Sequence, residues 1–256
     1  MKANLELRKK VTEIFTSYYS NPDVVKSILP YHVEGRETCM IAITNDKEYP
    51  LKKFRNIKID SEISFKYNVL NKFIVFKEPY NIYHSCAKYG SGVPVFYFTG
   101  DDKEIVKKRQ QDWGKTCIND VVSYDLSIDI DSPDFKSIKI AQQDCIKIYE
   151  SLINSIYIEI RFTGCGFHIV LKNEWRGKGM TMKDFTKMLN KIEKIKEKHS
   201  DLVDTHVIEP RRVIKTPNTL VYREGYKNIM ICKKLCFDEL KKFKVEDCIY
   251  GKLPKE

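Results

Sequence analysis

Acidic side chains at three positions form a candidate metal site. Asp129 and Asp131 are separated by one residue, and Asp204 lies far downstream. Carboxylates placed together repel each other unless they are protonated or bind a metal ion. Two Mg²⁺ or Mn²⁺ ions held about 3.5–4 Å apart activate an attacking oxygen and bind the leaving phosphate. If the three aspartates meet in space, they therefore predict phosphoryl or nucleotidyl transfer chemistry.

Side chains suited to phosphate binding occur near these aspartates in sequence. They are Arg161 and His168, together with three residues that follow Asp204: Arg211, Arg212 and Lys215. Cations stabilise the charge of a triphosphate, and a histidine can donate a proton to a phosphate oxygen. Thr163, Gly164 and Gly166 form a turn in which the small residues would allow a ligand to approach the backbone.

The segments that carry these residues show clear periodicity. Apolar residues alternate with Asp125, Asp129 and Asp131 between 122 and 131, which predicts a strand with one apolar and one acidic face. In order, the predicted elements are a strand at 122–131, a helix opened by Ser132-Pro133, strands at 156–163 and 167–172, a helix capped by Thr181 and Asp184, and a strand at 202–208.

This order predicts an RRM-like, ferredoxin-like βαββαβ module, with strand order 4-1-3-2 and both helices on one face. The polar residues would then form an open face. The first strand would be flanked by the third and fourth strands, both antiparallel to it. Asp129 and Asp131 would consequently meet His168 and Asp204 at one edge of the sheet.

The first half of the chain gives weaker signals. A helix is predicted up to Asn21-Pro22, followed by strand-like segments at 39–43, 73–76 and 93–98. We place a boundary near the basic run Lys107 to Arg109. The fold class is thus mixed α+β, with an N-terminal α/β module at 1–110 and the RRM-like catalytic module with a C-terminal extension at 111–256, together one compact catalytic domain.

Composition limits the class of protein further. The 256 residues are 42% hydrophobic, which excludes a disordered chain, and the formal charge of +10 favours a polyanionic partner or reflects a solvated basic surface. No apolar run reaches the roughly 18 residues of a membrane span, so we expect a cytoplasmic protein without a membrane partner. The eight cysteines lack paired CxxC spacing, and no zinc is expected.

Three ordered motifs resemble those of archaeo-eukaryotic primases. They are Tyr124–Asp131 (YDLSIDID), Phe162–Ile169 (FTGCGFHI), and Val203-Asp204 followed by Arg211–Leu220 (RRVIKTPNTL). The motifs are similar to those of the catalytic small subunit of primase and of stand-alone primase-polymerases. Gly35–Glu37 and Pro79–Ser85 with Tyr89 show weaker similarity to N-terminal segments of that family.

The resemblance implies specific roles for these residues. Asp129, Asp131 and Asp204 would bind two Mg²⁺ or Mn²⁺ ions. Residues implied to bind the nucleotide are His168, Thr163 in place of a serine, Gly166, Arg161, Arg212, Lys215 in place of an arginine, and Arg223. Val221 stands where a histidine is common in the family. The zinc-binding insertion of many small subunits is missing after Asp131, which favours a plasmid, viral or CRISPR-associated type.

The function implied is template-directed nucleotidyl transfer, which makes and extends primers on single-stranded DNA from NTPs or dNTPs. Template contacts are expected at Lys52, Lys53, Arg55, Lys107, Lys108 and Arg109. An accessory domain or subunit for initiation, and the choice between NTPs and dNTPs, stay open. Two alternatives also stay open: a metal-dependent nuclease, and a non-enzymatic RRM-like module that binds single-stranded nucleic acid.

Overall fold

The computed structural model describes residues 2–43, 51–91, 117–132, 137–155, 157–205, 211–222 and 228–252. Within these ranges the chain is a mixed α+β protein with one large antiparallel sheet. Among the described residues, no helix combines the length and the apolar character that crossing a membrane requires.

Seven α-helices are described. They are α1 (Lys2–Tyr19), α2 (Pro22–Ile28), α3 (Glu62–Phe65), α4 (Asn71–Phe76), α5 (Ile138–Ser151), α6 (Met182–His199) and α7 (Phe237–Lys241). Asn21 caps α2, which has Pro22 in its first turn, and Thr181 and Asp184 form the predicted capping box of α6.

Twelve strands are described. They are β1 (Arg36–Ile43), β2 (Leu51–Phe54), β3 (Asn81–Tyr89), β4 (Val121–Asp131), β5 (Ile158–Phe162), β6 (Gly166–Arg176), β7 (Val203–Asp204), β8 (Val213–Lys215), β9 (Leu220–Val221), β10 (Asn228–Ile231), β11 (Lys233–Leu235) and β12 (Ile249–Lys252). The alternation in 122–131 is therefore a strand, as predicted.

The large sheet continues through both halves of the chain. Its order is β11-β5-β6-β4-β3-β1-β2, with β7 also paired to β4 and β8 also paired to β3. A smaller sheet has the order β12-β10-β9. Because β3 pairs with β4 near Tyr89 and with β8 at Tyr83, it joins the strands that carry the acidic residues to the strand that carries Lys215.

Helices α5 and α6 lie on the apolar face of β4. Ile128 and Ile130 pack with Ala141 and Ile148 of α5, and the ring of Phe185 in α6 lies edge-on to Tyr124 at 5.4 Å between centroids. Since side chains alternate along a strand, the odd-numbered residues of β4, including Asp129, face the opposite side of the sheet.

That opposite face is covered, whereas the sequence predicted an open polar face. Asp125 and Arg161 are completely buried, and Asp129 and His168 are nearly so. Arg36 of β1 and residues 211–216 cover this face, where Arg36 pairs with Asp125 at 2.9 Å. The covering segments come from distant parts of the chain, so strand periodicity alone could not predict them.

Residues 73–76 are the clearest error of the sequence prediction. They were expected to form a strand and instead belong to α4. Phe73 packs on Phe15 and Tyr19 of α1, with ring centroids 5.7 and 5.4 Å apart, and this packing outweighs strand propensity. The predicted strand at 93–98 lies outside the described residues.

Two element boundaries also differ from the prediction. The described part of α5 begins at Ile138 and is flanked by Ser137, and residues 133–136 lie outside the described ranges. Of the predicted strand 202–208, Val203–Asp204 is observed, and residues 206–210 are not described.

Candidate functional site

Three carboxylates meet at one end of β4. Asp129 lies opposite Asp204 of β7 in the strand register, and Asp131 follows at the end of β4. Carboxylate oxygens of the three residues all lie within 4.8 Å of one another. Asp129 is buried, Asp204 is half-buried and Asp131 is exposed. The strand pairing therefore brings together acidic residues that are far apart in sequence.

The environment changes the pKa values of two of these acids in opposite directions. Burial raises the pKa of Asp129, but the neighbouring His168 and Arg212 lower it more, so its pKa lies below the usual value. Burial and the charge of Asp129 raise the pKa of Asp131. A cation bound beside Asp131 would therefore favour the ionised form of its carboxyl group.

Two basic side chains contact Asp129 directly. His168 lies opposite it in β6, with Nε2 3.0 Å from Oδ1, and the Arg212 guanidinium donates a hydrogen bond to Oδ2 at 2.9 Å. The Nδ1 atom of His168 and the Nε atom of Arg212 are buried and have no hydrogen-bond partner among the residues that the structure describes. Both side chains thus retain unsatisfied polar nitrogens beside the acidic group.

A cavity of about 280 Å³ opens beside these residues. Its charged lining contains Asp129 and Asp131 together with four cations. These cations are Lys53, Arg55, Arg212 and Lys215. A cavity lined by both carboxylates and cations suits a ligand that carries both a metal and a chain of phosphates.

Thr163 and Lys215 are held together at the cavity wall. The Lys215 ammonium donates to the Thr163 carbonyl oxygen at 2.9 Å and lies 3.8 Å from the Cys165 sulfur. β8 places Lys215 here by pairing with β3, where it lies opposite Tyr83. Both residues line the cavity, so the structure brings them to the acidic group together with His168.

Gly166 is required by strand packing. It lies opposite Asp131 in the pairing of β4 with β6, and a Cβ atom there would come within 2.3 Å of the Ile130 carbonyl oxygen. Gly166 is not part of the cavity lining. Its role in nucleotide binding, expected from the sequence, stays a prediction, and the observed role of Gly166 is to let β6 approach β4 beside Asp131.

Arg161 is placed differently from the expectation that it lies exposed beside a triphosphate. It is completely buried, forms an ion pair with Glu159, and donates to the Lys215 carbonyl oxygen at 3.0 Å. Its guanidinium also lies over the Tyr31 ring, 5.4 Å from the centroid. Arg161 therefore supports the backbone behind Lys215, and it does not line the cavity.

The residues expected to contact the template have different outcomes. Lys53 and Arg55 line the cavity, which brings two of them to the acidic group. The side chain of Lys52 is not described. The run Lys107 to Arg109 and the expected nucleotide ligand Arg223 lie outside the described residues.

Behind the cavity lies a buried group of ion-paired residues that the sequence did not predict. Glu37 is completely buried and accepts from Arg211 at 2.9 Å, while its Oε1 lies 3.4 Å from Nε of Arg55. Arg55 also donates to the Arg211 carbonyl oxygen at 3.1 Å. Arg211 was expected to bind phosphate and is instead engaged by Glu37. The only sequence signal was the weak similarity at Gly35–Glu37.

The acidic residues fit a divalent metal. Their donor set consists of oxygen atoms alone, which Mg²⁺ and Mn²⁺ prefer. Among the described residues, the buried Oδ1 of Asp129 has no assigned hydrogen-bond donor, and His168 Nε2 lies 3.0 Å from it. A metal ion would satisfy this oxygen and relieve the repulsion at Asp131.

In sequence, the chain matches no protein-family model and no curated protein. In structure, it is similar to the polymerase domain of Ligase D from Mycobacterium tuberculosis, which was solved in complex with DNA. The TM-score is 0.51 at 10% identity, over 90% of this chain and 82% of that chain. The backbone fold of the chain is therefore similar to that of this polymerase domain. Primase RepB' is also similar, with a TM-score of 0.42 at 6% identity, over 84% of this chain and 56% of that chain.

The fold similarity agrees with the resemblance that the three sequence motifs predicted. The motifs cover short segments of the second half, whereas the similarity of the backbone covers 90% of the chain.

Proposed function

We propose that the chain is a DNA primase-polymerase, which makes and extends primers on single-stranded DNA by two-metal nucleotidyl transfer. The observation that carries the proposal is the placement of Asp129, Asp131 and Asp204 within 4.8 Å beside a cavity with four cations. The similarity in fold to a polymerase domain supports it. In this proposal the strands β4 to β7 with α5 and α6 form the RRM-like catalytic module.

The three aspartates would hold the Mg²⁺ or Mn²⁺ ions. Held there, such ions would supply the Lewis acidity that lowers the pKa of a primer 3′ hydroxyl and offsets the charge of a leaving pyrophosphate. His168 and Arg212, whose unsatisfied nitrogens lie beside the cavity, bind phosphate oxygens of the incoming triphosphate. Lys215 adds a point charge at the cavity wall, because an ammonium lacks the two-pronged geometry of a guanidinium.

Lys53 and Arg55 lie on the side of the cavity formed by the N-terminal half. We assign them to the backbone of the template or primer, since phosphate contacts fix the position of a nucleic acid without reading its sequence. The salt dependence of binding should then be steep. An accessory domain or subunit would be needed only if the chain extends primers without starting them.

The decisive experiment uses isosteric changes at the acidic group. Asp129→Asn and Asp131→Asn should each reduce nucleotide incorporation on a primed template by at least about 10³-fold, since each removes a metal ligand. Asp201→Asn, at an exposed position outside the cavity, is the matched control. Incorporation is measured with labelled NTPs and dNTPs separately, on primed and unprimed single strands.

The same assay tests the nuclease alternative, for which His168 beside the carboxylates is the relevant observation. A labelled primer that is shortened by the wild-type protein in Mn²⁺ without any triphosphate would favour hydrolysis. Undiminished incorporation by both aspartate variants would refute the polymerase assignment.

A further inference from the structure

A row of lysines follows one side of α6. Lys183, Lys187, Lys191, Lys194 and Lys198, which we call the lysine ridge, recur at spacings of three and four residues. This spacing places them on one stripe of the helix, about 22 Å long at 1.5 Å per residue. All are exposed except Lys191, which is half-buried.

Few carboxylates lie near the charges of the ridge. Lys191 pairs with Glu174 at 2.5 Å, and Asp184 interacts with Lys183 and Lys187 while it caps the helix with Thr181. In the part of the chain that the structure describes, Lys187, Lys194 and Lys198 form no ion pair at contact distance. By helical spacing, Glu193 and Glu197 fall on the other flank of the exposed surface. Like charges one turn apart destabilise a helix, so this arrangement is unfavourable until an anion binds.

The ridge borders a groove between α5 and α6. The groove has a volume of about 490 Å³, and its basic lining comprises four ridge lysines and His199. Apolar contact is limited to Leu152 and the mostly buried Ile195. Protein partners usually need a buried aromatic or aliphatic anchor. A groove with many cations and few apolar groups therefore favours a phosphate backbone over an acidic peptide.

The position of the ridge separates it from the candidate active site. α6 packs on β4 through the contact of Phe185 with Tyr124. Tyr124 lies on the face of β4 opposite Asp129. A ligand on the ridge therefore does not occupy the cavity. We propose that the lysine ridge is a second nucleic-acid binding surface, which holds the phosphate backbone independently of the catalytic cavity. It is distinct from the expected template contacts at Lys53 and Arg55.

The test measures binding of labelled single-stranded DNA in EDTA without triphosphates, so that the result does not depend on catalysis. The ridge variant carries Lys187→Gln, Lys191→Gln, Lys194→Gln and Lys198→Gln. Its matched control carries the same charge change at exposed lysines of the N-terminal half: Lys9→Gln, Lys10→Gln, Lys66→Gln and Lys77→Gln. A double variant, Lys187→Gln with Lys194→Gln, provides an intermediate step.

The ridge variant should bind at least about tenfold more weakly at low salt. Its slope of log affinity against log salt should fall by about 3, at roughly 0.7 for each phosphate that a lysine no longer neutralises. The double variant should show about half of that decrease in slope. Circular dichroism and thermal unfolding confirm that each variant is folded. Incorporation at saturating primed template should equal that of the wild-type protein.

Three results would overturn the proposal. The first is equal DNA binding by the ridge variant and the control. The second concerns polyglutamate, used as a model acidic polypeptide. If the ridge variant lost polyglutamate binding and retained DNA binding, the surface would be assigned to an acidic protein. The third is loss of incorporation at saturating template, which would make the ridge part of the catalytic route.

Discussion

Arg212 is the residue at which the proposed metal site and the proposed nucleotide site meet. Its guanidinium bonds to Asp129, a candidate metal ligand, while its Nε has no hydrogen-bond partner. A divalent ion at Asp129 competes with this ion pair and would leave Arg212 available to a phosphate. Arg212 therefore stabilises the metal-free site when it bonds to Asp129. It would stabilise the bound triphosphate when it bonds to a phosphate.

Arg212→Ala should accordingly have opposite effects on two ligands. Mn²⁺ binding without nucleotide should become tighter, because Asp129 is no longer shared with a guanidinium. The KM for the triphosphate should rise at least about tenfold, since a charge-assisted hydrogen bond contributes about 1.5–3 kcal/mol. Calorimetry measures the first effect and steady-state kinetics the second.

The exposed Arg176 supplies the control, as Arg176→Ala, for this experiment. Weaker Mn²⁺ binding by Arg212→Ala would contradict the competition between arginine and metal. Unchanged KM would contradict its role in phosphate binding.

The opposite pKa shifts of Asp129 and Asp131 give opposite effects on stability in EDTA. A carboxyl with a lowered pKa stabilises the fold above its unfolded pKa, and that contribution is lost as the pH falls through the folded value. A carboxyl with a raised pKa destabilises the fold increasingly as the pH rises through its folded value. At neutral pH, Asp129→Asn should therefore lower the melting temperature and Asp131→Asn should raise it.

Thermal unfolding in EDTA at neutral pH and at acidic pH measures these effects. The difference between Asp131→Asn and the wild type should shrink as the pH falls to about 4. The difference between Asp129→Asn and the wild type should shrink only at lower pH, as the pH falls through the lowered folded pKa of Asp129. Added Mg²⁺ should raise the melting temperature of the wild type more than that of either variant. Shifts of the same sign for both variants at neutral pH would contradict the assignment.

At the scale of elements, the pairing of β4 with β6 fixes the position of Asp131. Gly166→Ala would force a Cβ against the Ile130 carbonyl oxygen, a backbone atom that cannot move without its strand. We expect a loss of about 1–3 kcal/mol in the free energy of unfolding. Incorporation should fall as well, because the displaced strand end carries a metal ligand.

Gly251→Ala is the matched control for this change, since a Cβ there meets nothing within 4 Å in β12. Urea unfolding and incorporation are measured for both variants. Equal stability of the two alanine variants would show that β6 adjusts to the extra atom.

The elements also show what sequence reasoning can predict. The alternation of β4 and the capping box of α6 are local signals, and both elements were predicted. The run 73–76 is apolar and partly β-branched, a pattern that strands and buried helices share, and its packing on Phe15 decided the outcome. Local patterns thus predict an element well when its apolar and polar residues alternate or when capping residues mark its start.

At the scale of the whole molecule, the acidic group could be predicted because it follows from the order of a few strands. The group formed by Glu37, Arg55 and Arg211 could not, because its contacts join three segments that are distant in sequence and are not paired with one another as strands. The burial of Arg161 likewise depends on Tyr31 and Lys215, which no local pattern relates to β5. Local patterns in the sequence therefore do not predict the contacts through which distant segments cover and bury a residue.

The double pairing of β3 has a consequence for attempts to divide the chain. Its Ile82 packs in one hydrophobic core and its Cys86 and Ala87 in the other, while the strand bonds to both β4 and β8. Expressing residues 111–256 alone would leave part of β4 as a bare edge with unpaired amides and carbonyls. Such edges recruit strands from other molecules. The fragment 111–256 would therefore aggregate. Its cavity would also lack the wall that Lys53 and Arg55 form.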